Sequence, residues 1–195
     1  MDFRYIHAFF RSNIQNNRKE LLDIGCAKEG IVANMYNRQA AVQYANLWWN
    51  RRNPAFPNFD VDCTNYISQC LLAGGAPMRG APSRENGWWL QRGNWSFSWS
   101  VAHSLRWYLE GSTRGLKGKR VQNAEELELG DVIFYDFQGD GRIDHSVIVT
   151  SILDGIPYVN AHTSDSINRP YFYEDSTAYT PNMTYYFYHI DDRFD

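Results

Sequence analysis

One helix, with a cysteine as its first residue, constrains this sequence more than any other feature. Within residues 62–72, four residues recur at helical spacing and form one apolar stripe: Cys63, Ile67, Cys70 and Leu71. Asp62 is a favourable N-cap residue, and its carboxylate is expected to accept backbone N–H bonds from the first turn. Gly74 and Gly75 are expected to end the helix, because glycine adopts the left-handed C-cap conformation at little cost. The segment therefore predicts a helix that begins at a thiol and buries one face.

The position of Cys63 at a helix N-terminus makes it the candidate nucleophile. A helix N-terminus favours the thiolate, which is the reactive form of cysteine, and its free N–H groups can hold an oxyanion. The alternative is that Cys63 is a small buried hydrophobic residue, as many free cysteines are. Cys70, two turns further along the same stripe, is expected to be inert.

Composition narrows the classes of protein to which the chain can belong. Its 195 residues, 44% of them hydrophobic and 16% aromatic, are sufficient for a packed domain. The net charge of −3 favours neither nucleic acid nor an anionic membrane as a partner. Three cysteines at irregular spacing indicate neither a disulfide framework nor a zinc site, and no cofactor is expected.

The chain carries no recognisable targeting or membrane segment. Its N-terminus lacks a basic region followed by an apolar run, and no stretch approaches the roughly 20 apolar residues of a membrane span. We therefore expect a soluble chain, either cytoplasmic or exported with its leader removed. The sequence leaves its oligomeric state open.

Helical patterns precede strand patterns along the chain. Residues 36–49 and 99–110 predict helices, the second with aromatic and imidazole side chains spaced by four: Trp99, His103 and Trp107. Four strands are predicted further on, over residues 132–135, 145–150, 156–163 and 184–190. This order is typical of an α+β domain in which helices pack on a small antiparallel sheet. Residues 1–35 are interpreted as a helical arm of unassigned role, and residues 36–195 as the domain.

The predicted strands supply a candidate base. His145 opens a strand, and a histidine held there has one face free for proton transfer. Asn160 and His162 lie two residues apart on the next strand and therefore share a face. Either could orient His145 by accepting its second ring N–H, but they lie about 7 Å apart, so only one can sit beside it. A nucleophile, a base and an orienting group are the three parts of covalent amide chemistry.

Five ordered motifs resemble those of the bacterial putative amidase-domain family, which is similar to the papain-like NlpC-type cell-wall peptidases. The first combines residues 62–65 with 68–71, and the others cover residues 74–75, 130–134, 144–150 and 161–163, within a resemblance that extends over about residues 36–165. The resemblance implies a papain-like fold, with Cys63 as nucleophile and His145 as base. It places the third residue at His162, with Asn160 as the alternative.

The resemblance also implies an activity. It indicates a cysteine-dependent amidase or peptidase that acts on peptidoglycan-type or other peptide amides through a thioester. A non-catalytic binding module on the same fold is one alternative. An acyltransferase or transglutaminase-like enzyme, with an acceptor other than water, is the other. The expected partner is a peptide or a peptidoglycan fragment.

Two further segments suggest binding. Trp88 and Trp89 follow a turn-rich stretch and could line a substrate groove. Residues 136–144 place oxygen-bearing side chains at calcium-loop spacing, namely Asp136, Gln138, Asp140 and Asp144. The acid required at the twelfth position is replaced by Val147, so we prefer a tight hairpin turn to a calcium site.

Overall fold

A computed structural model describes residues 34–195 of the protein. The helical arm predicted for residues 1–35 falls, apart from its last two residues, outside this described part. The predicted α+β class is confirmed, because the described residues form helices followed by an antiparallel sheet. None of the helices within residues 34–195 has the length and apolar character needed to cross a membrane.

The first two helices pack against each other in the core. Helix α1 spans Arg38–Trp48, and helix α2 spans Cys63–Ala73. Every residue of α2 from Cys63 to Leu71 is buried, so packing on all sides fixes its orientation. It ends as predicted, with Gly74 as the C-cap and Gly75 in the left-handed region at φ 94°.

The helix predicted over residues 99–110 is instead two helices. Helix α3 spans Phe97–Ser100, and helix α4 spans Ala102–Gly111. Val101 lies between them in an extended conformation, with φ −123° and ψ 121°. Trp99 is consequently buried while Trp107 is 53% exposed, so the four-residue spacing does not produce one helical face.

The main sheet has six antiparallel strands. Their bounds are Gly118–Val121 (β3), Val132–Asp136 (β4), His145–Leu153 (β5), Ile156–Ala161 (β6), Ser166–Pro170 (β7) and Thr184–Ile190 (β8). A two-stranded ribbon, β1 (Leu90–Gln91) and β2 (Asn94–Trp95), stands apart, and a 3-10 turn covers Ala124–Glu126. The spatial order is β3-β8-β4-β5-β6-β7. The four predicted strands are β4, β5, β6 and β8; the ribbon, β3 and β7 were not predicted, because they are short and mostly polar.

The sheet separates two apolar clusters. Ile148 of β5 and Phe134 of β4 belong to the cluster that packs against α2. Val147 and Val149 of β5, with Ala161 of β6, belong to the cluster on the other face. Side chains alternate along a strand. The cluster to which one residue of β5 or β6 belongs therefore shows which side of the sheet its neighbours face.

A buried ion pair joins α1 to the sheet. Arg38 donates to Asp131 Oδ1 at 2.6 Å and to the carbonyl oxygen of Ile190 at 2.6 Å. The fully buried Asp131 carboxylate also accepts the backbone N–H groups of Glu128 and Ile190. A buried charge is tolerated when it is both paired and hydrogen-bonded. The acidic residue of the motif at residues 130–134 therefore has a structural role.

Gly74→Ala is expected to destabilise the domain. A Cβ at Gly74 would lie 2.3 Å from the ring of Tyr36, which is held by its 2.8 Å hydrogen bond to the carbonyl oxygen of Gly130. Overpacking of this kind costs about 1–3 kcal/mol. Chemical denaturation should show that loss of unfolding free energy. Gly111→Ala is the control, because a Cβ there meets nothing within 4 Å; equal stability of the two variants would contradict this packing.

Candidate active site

The N-terminus of α2 meets the start of β5, and this junction brings Cys63 and His145 together. Cys63 is the first residue of α2, and His145 is the first residue of β5. The His145 imidazole and the backbone N–H of Ser146 both lie near enough to the Cys63 thiol to lower its pKa. A 3.1 Å hydrogen bond between the hydroxyl groups of Thr64 and Ser146 fastens the helix to the strand. The residues predicted as nucleophile and base are therefore neighbours.

The surroundings of Cys63 lower the pKa of its thiol. Burial alone would raise this pKa, because the residue is 2% exposed and a thiolate is poorly solvated there. The hydrogen bond from His145 and the charge of its ring act in the opposite direction, with further contributions from the Thr64 hydroxyl and the Ser146 backbone. Together they outweigh burial and lower the pKa to about 6. The surroundings of Cys63 therefore favour its thiolate form.

Cys70 lies in a different environment from Cys63. Its side chain is fully buried in the apolar cluster beside α2. Burial raises the pKa of the Cys70 thiol well above its usual value. This environment agrees with the expectation that Cys70 is unreactive. Cys26 lies outside the described residues.

The carboxylate of Asp62 does not cap α2, contrary to the prediction. Its Oδ1 accepts from Asn65 Nδ2 at 2.8 Å, and its Oδ2 lies 2.7 Å from His162 Nδ1 and 3.1 Å from Arg52 Nε. Arg52 and His162 occupy the carboxylate in place of the N–H groups of the helix, and the bond to the charged guanidinium of Arg52 is stronger than one to a neutral N–H. The first-turn N–H groups beside Cys63 are therefore left without this cap and remain available to an oxyanion.

His162 is not placed to orient His145, contrary to the prediction. Its Nδ1 lies 2.7 Å from Asp62 Oδ2, its Nε2 lies 2.7 Å from the carbonyl oxygen of Trp48, and its ring stacks on Tyr66. A carbonyl oxygen accepts, so Nε2 donates to Trp48, while Nδ1 shares a hydrogen bond with the Asp62 carboxyl group. His162 and Asp62 therefore form a buried hydrogen-bonded pair.

Asn160, the alternative third residue, also faces away from His145. Asn160 is paired with Ile148 across β5 and β6, and it shares that face of the sheet with His162. His145 lies on the opposite face with Val147 and Ala161, because side chains alternate along both strands. The Asn160 side-chain amide is bonded to three other residues: Thr150, Asn168 and Asn46. Neither predicted third residue thus contacts the predicted base.

The polar group beside His145 is a residue that the sequence analysis did not identify. The hydroxyl oxygen of Tyr173 lies 3.5 Å from His145 Nε2, and Tyr173 is 2% exposed. The rings of Tyr135 and Phe137 stack beside the imidazole. In sequence, Tyr173 is the last of three consecutive aromatic residues at 171–173. No local pattern distinguishes it from the other two.

Trp88 and Trp89 do not line a groove, contrary to the prediction. Both are buried, with 0% and 1% exposure. The indole N–H of Trp88 donates to Ser68 Oγ at 2.9 Å, and that of Trp89 donates to the carbonyl oxygen of Asn86 at 2.9 Å. These two tryptophans fasten the turn-rich segment to α2 and to itself. Both tryptophans therefore have a packing role. The segment appeared exposed in sequence, but the tertiary fold buries these two side chains.

The loop at residues 136–144 closes the hairpin between β4 and β5. Both carboxylate oxygens of Asp136 accept backbone N–H groups of the loop itself, namely those of Gly139, Asp140 and Gly141. Asp140 and Asp144 likewise accept N–H groups of Arg142 and Phe137. The carboxylates of the calcium-loop pattern are therefore engaged by the turn. Within residues 34–195, no three His, Cys, Asp or Glu side chains are grouped to hold a metal ion.

Comparison with known proteins gives one family. The protein-family model described as the putative amidase domain matches residues 35–188. Uncharacterized protein YhbB of Bacillus subtilis (strain 168) is 58% identical over 158 residues, which are 80% of this chain and 51% of YhbB. Uncharacterized protein YjcM of the same strain is 31% identical over 150 residues, 72% of this chain and 34% of YjcM. The chain thus spans about half and about a third of these two relatives. No solved structure matches it.

His162→Ala is expected to destabilise the protein strongly. The substitution removes the closest hydrogen-bond partner of the Asp62 carboxylate, which is 1% exposed, and removing one partner of such a buried pair costs about 3–5 kcal/mol. Arg52→Ala is the matched control, because Arg52 is a more exposed partner of the same carboxylate. Its removal should cost about 1 kcal/mol or less. Urea denaturation near neutral pH measures both losses, and similar losses in the two variants would contradict the structural role of the buried His162–Asp62 pair.

Proposed function

Because this chain belongs to the putative amidase domain family, we propose that it is a cysteine-dependent amide hydrolase with Cys63 as the nucleophile. The family indicates amide hydrolysis as the class of activity. The observation that supports cysteine chemistry is the contact of Cys63 with His145 at the junction of α2 and β5, which lowers the thiol pKa to about 6. We further propose that the enzyme is of the papain-like NlpC type, on the motifs quoted above.

Acylation starts from the Cys63 thiolate and the His145 imidazolium. The sulfur attacks the carbonyl carbon of the amide, and the carbonyl oxygen becomes an oxyanion beside the first-turn N–H groups of α2. The His145 imidazolium then donates its proton to the leaving nitrogen. The carbon–nitrogen bond breaks, the amine departs, and the acyl group remains on Cys63 as a thioester.

Deacylation uses the same two residues. His145, now neutral, accepts a proton from a water molecule that attacks the thioester carbonyl. The carbon–sulfur bond breaks, the carboxylic acid is released, and the thiolate–imidazolium pair is restored. Cys63 and His145 are 2% and 7% exposed, so both steps take place where bulk water is largely excluded and the charge interactions are strong.

We propose peptide amides as the substrate class, with peptidoglycan stem peptides as the first group to test. The proposal rests on the resemblance to NlpC-type peptidases. The net charge of −3 is compatible with a peptide substrate and gives no electrostatic attraction for a polyanion.

Intact-mass spectrometry of the full chain with a panel of stem peptides tests this proposal. A peptide that is a substrate should add the mass of its acyl fragment to the protein, and peptide mapping should place the adduct on Cys63. Hydroxylamine should release it, because a thioester is cleaved by that nucleophile. His145→Ala should slow product formation by about 10²–10⁴-fold, which is the usual contribution of a general base.

Two cysteine variants make the result specific. Cys63→Ala should abolish both the adduct and turnover, whereas Cys70→Ala should retain them, because Cys70 is buried away from the site. Turnover that persists in Cys63→Ala would overturn the proposed mechanism. The adduct could instead be stable in water and be released only when an amine is added. That result would identify acyl transfer in place of hydrolysis.

A further inference from the structure

The base His145 has no polar partner on the neighbouring strand β6. On the face of the sheet that His145 shares, β6 presents Val159 and Ala161, both apolar. Asn160 and His162 face the helices and are bonded there. The imidazole of a general base must be held by its second nitrogen if the first is to face the nucleophile. That second nitrogen therefore depends on a group from another element.

The hydroxyl of Tyr173 occupies this position. It lies 3.5 Å from Nε2 of His145, which leaves Nδ1 as the ring nitrogen that serves Cys63. On its other side the same hydroxyl lies 3.2 Å from Ser166 Oγ. Tyr173 can thus accept the Nε2–H of His145 while donating its own proton to Ser166, in a chain of two hydrogen bonds.

We propose that Tyr173 is the positioning residue of His145, holding the imidazole by its Nε2–H in the place that Asn160 or His162 was expected to fill. The inference rests on the proposed function, since it assigns an orienting partner to the base of that reaction. Tyr173 acts through His145 and is not itself expected to touch the substrate. Its 3.5 Å contact is long in the resting site, as catalytic hydrogen bonds often are before substrate binds.

The backbone at Tyr173 supports a functional role. Its φ is 57°, in the left-handed region that bulky residues rarely adopt, and the side chain is 2% exposed. Such strain persists only where the surroundings enforce it, and it concentrates at functional sites. Here the guanidinium of Arg169 lies 4.0 Å from the centre of the Tyr173 ring, and Asp175 holds that guanidinium at 2.6 Å. The ring is thereby fixed with its hydroxyl directed at His145.

The charges around His145 are compatible with this role. Among residues 34–195, three titratable groups lie beside the imidazole: Cys63 from α2, Tyr135 from β4 and Tyr173 from the segment after β7. Burial raises the pKa of Tyr173, so its hydroxyl stays neutral and protonated. The hydroxyl of Tyr135 is bonded to the carbonyl oxygen of Tyr171 at 2.7 Å and does not take part. Arg169 lies behind the Tyr173 ring, where Asp175 compensates its charge.

The test is the pH dependence of Cys63 alkylation by iodoacetamide in Tyr173→Phe. This variant keeps the ring and removes the hydrogen bond to the imidazolium, so the Cys63 pKa should rise by about one unit. Alkylation should then be up to about tenfold slower at a pH near 6 and equal to wild type at a pH near 9, where both thiols are ionised. The experiment uses no substrate, so failure of the proposed amidase activity leaves it interpretable.

Two further variants separate positioning from packing. Tyr135→Phe removes a hydroxyl from a ring that also packs on His145 but makes no bond to it, and its pH profile should match wild type. Ser166→Ala retains Tyr173 and removes the acceptor of its hydroxyl proton. It should shift the pH profile in the same direction, with alkylation about threefold slower at a pH near 6. The proposal would be overturned if the pH profile of alkylation were unshifted in both Tyr173→Phe and Ser166→Ala. It would also be overturned if these variants lowered the alkylation rate by the same factor at every pH.

Discussion

The structure of the site depends on one buried carboxylate, that of Asp62. It accepts from Asn65 within α2, is hydrogen-bonded to the ring of His162, which directly follows β6, and reaches the Arg52 guanidinium beyond α1. His162 in turn donates to the carbonyl oxygen of Trp48 at the end of α1. A buried carboxylate must be hydrogen-bonded, and these bonds tie the start of α2 to the end of α1 and to the residue that follows β6. The start of α2 is therefore fixed against the sheet by the residue that precedes Cys63.

This arrangement has a direct chemical consequence for Cys63. Since the Asp62 carboxylate is bonded to Arg52 and His162, it does not occupy the N–H groups of the first turn. The helix N-terminus then faces the thiolate and any oxyanion with its positive end free. His145 approaches the sulfur from β5, and its ring is enclosed by aromatic side chains on the far face of the sheet. The nucleophile and the base thus come from two rigid elements.

Local patterns in the sequence were sufficient for the parts of the site that local structure determines. The helix that begins at Cys63, the strand that begins at His145 and the α+β class all follow from spacing, caps and element order. The third group could not be predicted, because the pattern shows that Asn160 and His162 share a face but not which side of the sheet that face meets. The expected cap at Asp62 failed for a related reason, since Arg52 and His162 are brought to it only by the tertiary fold. Trp88 and Trp89 were assigned to a groove because a turn-rich segment gives no sign that α2 buries it.

The central claim is that the Cys63 thiol, held beside His145, is ionised at neutral pH. The most direct measurement is a pH titration of the ultraviolet absorbance of the thiolate, taken as the difference between the wild-type protein and Cys63→Ser. The account predicts a single thiolate step centred near pH 6, with absorbance lost as the pH falls below it. In His145→Ala the thiolate step should move to higher pH. Burial raises the pKa of the Cys63 thiol, and His145 no longer lowers it in this variant. A wild-type step near the ordinary cysteine value of about 8.5, or one that is unchanged by His145→Ala, would contradict the claim.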